Sequence, residues 1–396
     1  MTGSAAAAAT PGGAQTGVGN LYVHLPFCRS RCAYCDFASE PLRPAESAAT
    51  ARRYRERLHE ELLARRGLLA PQVETVYVGG GTPTFFPRGP LLDLLAELGD
   101  LLVPGGEFTV EANPGTVDLG LLEQLAQTGV TRISMGVQSF RSAFRRTLGR
   151  AVSGRQIEEA LGAMRAAAWQ DWNLDLIFGI PGQNMPAVLA DLEAATAARP
   201  PHLSLYDLTY TRDYAVRVAH RLGPDARARA AEFAEDHYQE AVERLQAEGY
   251  RRYEVSNFAR AGHECRHNLA CWRGRDYVGL GASAVSTVGE ERWANPCSVD
   301  AYLAREGPTL EHLGGETKAV ERAMLGLRTA EGVPWAEVSD VVDLAALEPL
   351  EAAGFASRRC GTLFLSPRGL NVSNAVLTAI LRLRDTLDHS DGPVTS

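Results

Sequence analysis

Three cysteines within eight residues carry the most specific chemistry in this chain. Cys28, Cys32 and Cys35 are spaced C-xxx-C-xx-C, in a loop that directly follows the apolar run Leu21–Leu25. Three thiolates from one loop can cap three irons of a 4Fe–4S cubane and leave the fourth iron without a protein ligand. An open iron is what a chelating substrate needs. Arg29 and Arg31 lie between the thiolates and can offset the cluster's negative charge. A zinc site is the alternative, and it needs a fourth ligand. His24 is near in sequence but falls inside the run before the loop. A loop at a strand end with an open thiolate set favours iron–sulfur chemistry.

Polar groups recur at the ends of later strand-like runs. Gly79-Gly80-Gly81-Thr82-Pro83 ends the second run, Glu111 the third and Gln138 the fourth, while Asp175 sits within the fifth. Glycines let backbone approach a ligand closely and leave N–H groups free, although a plain turn is an equal reading of them alone. A carboxylate in an apolar strand is costly unless it is paired or meets a ligand. Each group alone reads as structural. Together, on successive strands, they read as ligand contacts.

The positioning elements follow from periodicity. Strands are expected at Leu21–Leu25, Glu74–Val78, Glu107–Ala112, Thr131–Val137, Asn173–Phe178 and His202–Leu208, with an additional one at Arg251–Val255. Helical patterns at Ala51–Arg66, Leu91–Leu102, Asp118–Gln127, Gln156–Ala168, Pro186–Ala198 and Ala226–Ala247 alternate with them. This alternation gives an α/β fold with a parallel sheet and helices outside. Six units suggest a partial (β/α)6 TIM-like barrel, with a flat doubly wound sheet as the alternative. Beyond about Val299 the composition changes. Residues 315–383 read as helices plus a hairpin turning at Cys360-Gly361-Thr362, a small α+β winged-helix-like domain. Between Gly315 and Arg384 eight Lys/Arg face eight Asp/Glu, so no basic face marks it as a DNA reader. The expected division is a disordered tail at 1–19, the barrel at 20–260, a connecting segment at 261–314, the small domain at 315–387 and a tail at 388–396.

Composition agrees with a soluble globular chain, 45% hydrophobic and 22% charged over 396 residues. The net charge of -8 counts against a protein that wraps nucleic-acid phosphates. Seven cysteines, an odd number, suit a reducing compartment and metal binding better than a disulfide scaffold. The Ala/Gly/Thr-rich first twenty residues lack the features of a signal peptide, and no apolar run is long enough to span a membrane. The expected location is cytoplasmic, with a peripheral visit to a membrane left open.

The cysteine loop and the glycine run after it resemble the defining motifs of the radical S-adenosylmethionine (SAM) superfamily. The strings YVHLPFC, GGGTPT, EANP, GVQSF, NLDLIFGIPGQ and YEVSNFA place the resemblance in the branch of oxygen-independent coproporphyrinogen III dehydrogenase and the HemW heme chaperones, from about Asn20 to Leu383. The resemblance implies a 4Fe–4S cluster on Cys28, Cys32 and Cys35. It implies SAM contacts from Tyr22, Phe37, Gly80, Gly81, Thr82, Glu111, Gln138, Arg150 and Asp175. It assigns no catalytic side chain. Two features separate the branches. The dehydrogenase carries a further cysteine where this chain has Phe37. HemW-like chains carry an H-N-x-x-Y-W motif, thought to contribute to heme binding. Here it reads His267-Asn-Leu-Ala-Cys271-Trp272, with Cys271 in place of Tyr. His267, Trp272 and Cys271 are therefore the heme candidates, an imidazole ligand beside a flat aromatic. The alternative for His267 is a loop cap, and for Cys265 and Cys271 buried apolar packing. Two further departures are Ala151-Val152, where the family has His soon after Leu-Gly-Arg, and Thr211 in place of Glu.

The function implied is a heme chaperone. It binds heme as cargo and delivers it to an apo-hemoprotein such as a respiratory cytochrome. A flavodoxin or ferredoxin type of electron donor is implied as partner, no nucleic acid is expected, and a homodimer is left open. The alternative is an enzyme of coproporphyrinogen III decarboxylation, against which Phe37 argues. A third reading keeps the fold as a binding module without SAM cleavage.

Overall fold

The computed structural model of the chain describes residues 17–42, 47–208 and 226–382. Thr211, most of the expected N-terminal tail and the expected C-terminal tail fall outside the described residues. Six strands form the frame: Asn20–Leu25 (β1), Val73–Gly80 (β2), Leu102–Ala112 (β3), Arg132–Gln138 (β4), Asp171–Phe178 (β5) and His202–Asp207 (β6). They pair in chain order, and every pairing is parallel. A helix lies between each successive pair, as the alternating pattern requires. Side-chain caps fix the starts of three of these barrel helices. Asp118 accepts from the Leu121 N–H, Ser153 and Gln156 form a capping box, and Asn184 accepts from the Ala187 N–H.

The sheet extends beyond the six expected strands. Val278–Leu280 adds a seventh parallel strand on the free edge of β1. At the other end Asn257–Ala259 runs antiparallel to β6 and carries Arg251–Arg252 outside it. The two end strands do not pair with each other, so the barrel is open. The strand expected over Arg251–Val255 stops at Arg252. Glu254 bridges Thr329 instead, and the Val255 N–H bonds the Arg328 carbonyl, so this backbone leaves the sheet for the C-terminal region.

Alternation along the strands divides the barrel. Val76, Val78, Phe108, Val110, Ile133, Met135, Leu174 and Leu176 are buried in the apolar core that includes the surrounding helices. The alternate positions are polar, and several of them bond one another across the strands. Thr75 donates to Asn20 (3.0 Å), Asn173 donates to Ser134 (2.8 Å), and His202 Nδ1 meets Asn173 Oδ1 (2.7 Å). At the amino ends of the strands the short helix Arg266–Trp272 plugs the barrel. Glu107 accepts from the Arg266 N–H (2.8 Å), the His267 N–H (2.9 Å) and the Cys265 thiol (3.3 Å). Fully buried Arg132 donates to Asp171 (2.6 Å) and to the His263 carbonyl (3.1 Å).

Two smaller layers complete the described chain. Val285–Val288, Glu291–Ala294 and Thr309–His312 form an antiparallel sheet inside the stretch expected to be a plain connection. Beyond it a separate core gathers Leu327, Val338, Val342, Leu347, Leu363, Leu377 and Ile380. Its hairpin pairs Ala356–Arg359 with Thr362–Leu365. The two turn residues, Cys360 and Gly361, have φ of 51° and 75°, the left-handed pair that a tight hairpin demands. No helix among the described residues is long and apolar enough to cross a membrane.

Candidate cofactor cavity

The carboxyl ends of β1–β6 open into one cavity of about 640 Å³. Cys28, Cys32 and Cys35 line it, each half-buried. Their loop is tied down at several points. Phe27–Cys28 pairs with Glu40–Pro41, closing the loop like a clasp. The Ala33 N–H bonds the Leu148 carbonyl (3.0 Å). His24 Nε2 donates to the Ala38 carbonyl (2.8 Å), which leaves Nδ1 to accept from the Tyr22 hydroxyl (2.8 Å). The Thr82 hydroxyl lies 3.5 Å from Cys28 Sγ, and Arg150 Nη1 lies 3.9 Å from Cys32 Sγ. Burial pushes the Cys28 and Cys35 thiols up. A metal or further cations must therefore offset that burial for them to act as thiolates.

Phe37, Gly80, Gly81, Thr82, Glu111, Gln138, Arg150 and Asp175 line the same cavity. Tyr22 is not on its wall, and its hydroxyl reaches the cysteine loop through His24. Glu111 accepts from the Tyr77 hydroxyl (2.8 Å) and the Gly80 N–H (3.1 Å). Burial pushes its carboxyl up to about 7, and neighbouring Asp175 adds to the rise. Burial also raises Asp175, against hydrogen bonds from Ser204, Asn173 and Ser134 and the attraction of Arg150. Arg150 donates to the Gly136 carbonyl, and its Nε is buried without a partner.

The wall fits a bound cofactor on three observations. Gln138 has φ of +70°, left-handed for a non-glycine residue, at a register shift between β4 and β5. Its Oε1 is buried with no hydrogen-bond partner, an acceptor left for a ligand. A Cβ at Gly81 would lie 2.7 Å from the Phe27 carbonyl oxygen, and one at Gly80 2.7 Å from the His24 ring. Only glycine lets the strand end pass this close under the cysteine loop. Among the described residues no three His, Cys, Asp or Glu side chains converge as the ligands of a single ion would.

Comparison with known proteins fits this geometry. Residues 22–195 match the family model described as the radical SAM superfamily. The chain is 34% identical to the heme chaperone HemW of Mycobacterium tuberculosis, over 91% of this chain and 94% of that one. It is 33% identical to the heme chaperone HemW of Synechocystis, over 81% and 80%. The chain belongs to the HemW family of radical SAM proteins. The solved coproporphyrinogen III oxidase HemN of Escherichia coli, a radical SAM enzyme, superposes with a TM-score of 0.75 at 22% identity, over 92% of this chain and 90% of that one. That likeness establishes the open barrel and its C-terminal extension as a shared fold.

In this HemW-family chain the heme candidates lie at the other end of the barrel. His267 is buried in the plug helix, its Nδ1 2.8 Å from the Thr75 hydroxyl and its ring 5.1 Å from that of Tyr77. Cys271 and Trp272 are half-buried one turn further on. Burial drives His267 down to about 4 and Cys271 up to about 11, so both are neutral near pH 7. The cavity of the cysteines and the plug helix are thus separate places, linked through Tyr77.

Sequence reasoning missed several wall residues. Tyr34, Tyr77, Phe85, Tyr206 and Asp207 also line the cavity. Period-two alternation was the available signal for two of them. Tyr77 lies two residues before Gly79 on the strand that ends in the glycine run, and Tyr206 two after Ser204. Burial pushes Asp207 up to about 6 at the cavity mouth.

Proposed function

We propose that this chain is a heme chaperone of the HemW kind: it binds heme and hands it to an apo-hemoprotein, with a SAM-bound 4Fe–4S cluster in the barrel. The observation that carries the cluster reading is that Cys28, Cys32 and Cys35 share one cavity with Gly80, Gly81, Glu111, Gln138, Arg150 and Asp175. The heme reading is supported by relatives named heme chaperones across most of the chain. Cys28, Cys32 and Cys35 would hold three irons. Glycine backbone, Glu111, Gln138 and Asp175 would receive SAM, with Phe37, 63% exposed at the rim, as an aromatic wall. When bound and reduced, the cluster and SAM supply radical chemistry. The protein's own part is to orient the ligand with fixed donors and acceptors, and to keep water from it with Tyr34, Phe85 and Leu208. Arg150, beside Cys32 and drawn to Asp175, balances thiolate charge. The location we infer is the cytoplasm, and the recipient a respiratory cytochrome.

Coproporphyrinogen decarboxylation is the second reading, favoured by the fold shared with HemN. Phe37, in place of a fourth cysteine, argues against it. The deciding experiment is anaerobic reconstitution, then incubation with reductant, SAM and coproporphyrinogen III, followed by heme titration and transfer to an apo-cytochrome. SAM cleavage with heme transfer and without porphyrin product is expected. Protoporphyrinogen in excess over protein would replace the chaperone reading with the enzyme.

A further inference from the structure

A second cleft, of about 440 Å³, opens where the Arg266–Trp272 helix ends against the C-terminal region. Arg273, Arg275 and Arg322 face Glu331 and Glu337 in it. Arg273 grips Glu331 with two hydrogen bonds, 2.9 and 2.5 Å. Arg322 Nε donates to Glu337 (2.7 Å). Those pairs use both carboxylates and leave donors over. Arg275 is exposed and makes no side-chain hydrogen bond or ion pair among the described residues. Arg322 Nη1 is buried without a partner. Two glycines shape the place where it lies: a Cβ at Gly326 would stand 2.6 Å from Nη1, and one at Gly274 3.4 Å from Arg322 Cδ.

Arginines after a helix C-terminus can serve only to offset its dipole. That role would account for Arg273 and Arg275. It would not account for Arg322, which lines the same cleft from a different helix and has a guanidinium donor left without a partner. Three guanidinium groups against two carboxylates leave one positive charge, and planar N–H forks match carboxylate oxygens. The cleft begins at the residue after Trp272, whose flat indole can lie against a macrocycle.

We propose that this cleft binds the propionate carboxylates of a tetrapyrrole, with Arg275 and Arg322 as donors. The assignment rests on the heme-binding reading above and adds to it the charged end of the ligand and the residues that meet it. The cofactor cavity takes no part in it.

The test uses full-length, cluster-reconstituted protein titrated with heme, heme dimethyl ester and iron-free protoporphyrin IX. Parent, Arg275→Glu and Arg322→Gln are compared, with thermal melts to confirm folding. Parent protein should bind heme and protoporphyrin at least about tenfold more tightly than the ester, a difference of about 1.4 kcal/mol. Arg275→Glu should erase that difference by weakening heme, while its affinity for the ester stays that of the parent. Equal binding of heme and ester by the parent, or parental heme affinity in both folded variants, would overturn the cleft and leave the chaperone reading standing. Failure of the parent to bind heme or protoporphyrin at all would overturn both.

Discussion

The Tyr77 hydroxyl donates to the Glu111 carboxylate at 2.8 Å, and the Gly80 N–H donates to its other oxygen at 3.1 Å. Both donors hold the carboxyl facing the cavity, yet burial keeps it near pKa 7. Glu111 is therefore mostly neutral at pH 6 and mostly anionic at pH 8. SAM carries a sulfonium cation and is held better by the anion. SAM affinity should rise roughly tenfold from pH 6 to pH 8, the change in ionised fraction across a pKa of 7. Equilibrium dialysis of SAM against reconstituted protein checks it, and Glu111→Gln should bind weakly with a flat profile. A parent profile as flat as the variant's would remove Glu111 from the contact.

The same shift predicts a stability effect of opposite sense. A carboxyl whose pKa is raised on folding holds its proton more tightly in the fold. Its contribution is present below the unfolded value and is lost as pH climbs from about 4.5 to about 7. Ligand-free Glu111→Gln should therefore gain on the parent as pH rises over that window. At pH 8 it should be the more stable by about 1–3 kcal/mol, an order of magnitude set by desolvation. Urea melts at pH 5 and pH 8 measure it. A variant destabilised equally at both would show that the hydrogen bonds to Glu111 outweigh its burial.

Cys32→Ala should abolish the brown absorption of the reconstituted cluster, because one iron loses its thiolate. The melting temperature without iron should move little, within about 0.5 kcal/mol of stability, since Cys32 lies half-buried in a surface loop. Retained iron, sulfide and absorption after anaerobic reconstitution would sink the cluster assignment.

How legible these features were depended on range. The cluster loop is a local string, and β1–β6 announce themselves by short β-branched runs between amphipathic helices. Val278–Leu280 does not. It is three residues long and becomes a strand only because β1, more than 250 residues earlier, offers a free edge. Glu107 was open to the reasoning that found Glu111. It lies four residues before it on the same face of one strand, which puts both carboxylates inside the barrel. What no pattern could tell is that Glu107 faces downward onto the Cys265, Arg266 and His267 groups of a distant plug helix.

His267 carries the last prediction, because two roles meet on one ring. Thr75 donates its hydroxyl proton to Asn20 and so accepts from His267 Nδ1–H, which fixes the tautomer and leaves the Nε2 lone pair free. That is the form an iron needs, but the ring is held inside the barrel against Tyr77. His267→Ala removes a buried ring and the donor to Thr75. It should cost about 2–4 kcal/mol of stability at pH 7. The depressed imidazole also makes the parent lose stability as pH falls from about 6.5 to about 4, where the buried ring must take a proton. The variant should lack that part of the acid sensitivity, and pH-dependent melts measure it. Heme titration of the same variant separates the roles. Loss of the Soret shift in a protein still folded at low temperature means the plug helix releases His267 to the iron. Parental titrations mean the ring serves only as the barrel floor, with the iron ligated elsewhere.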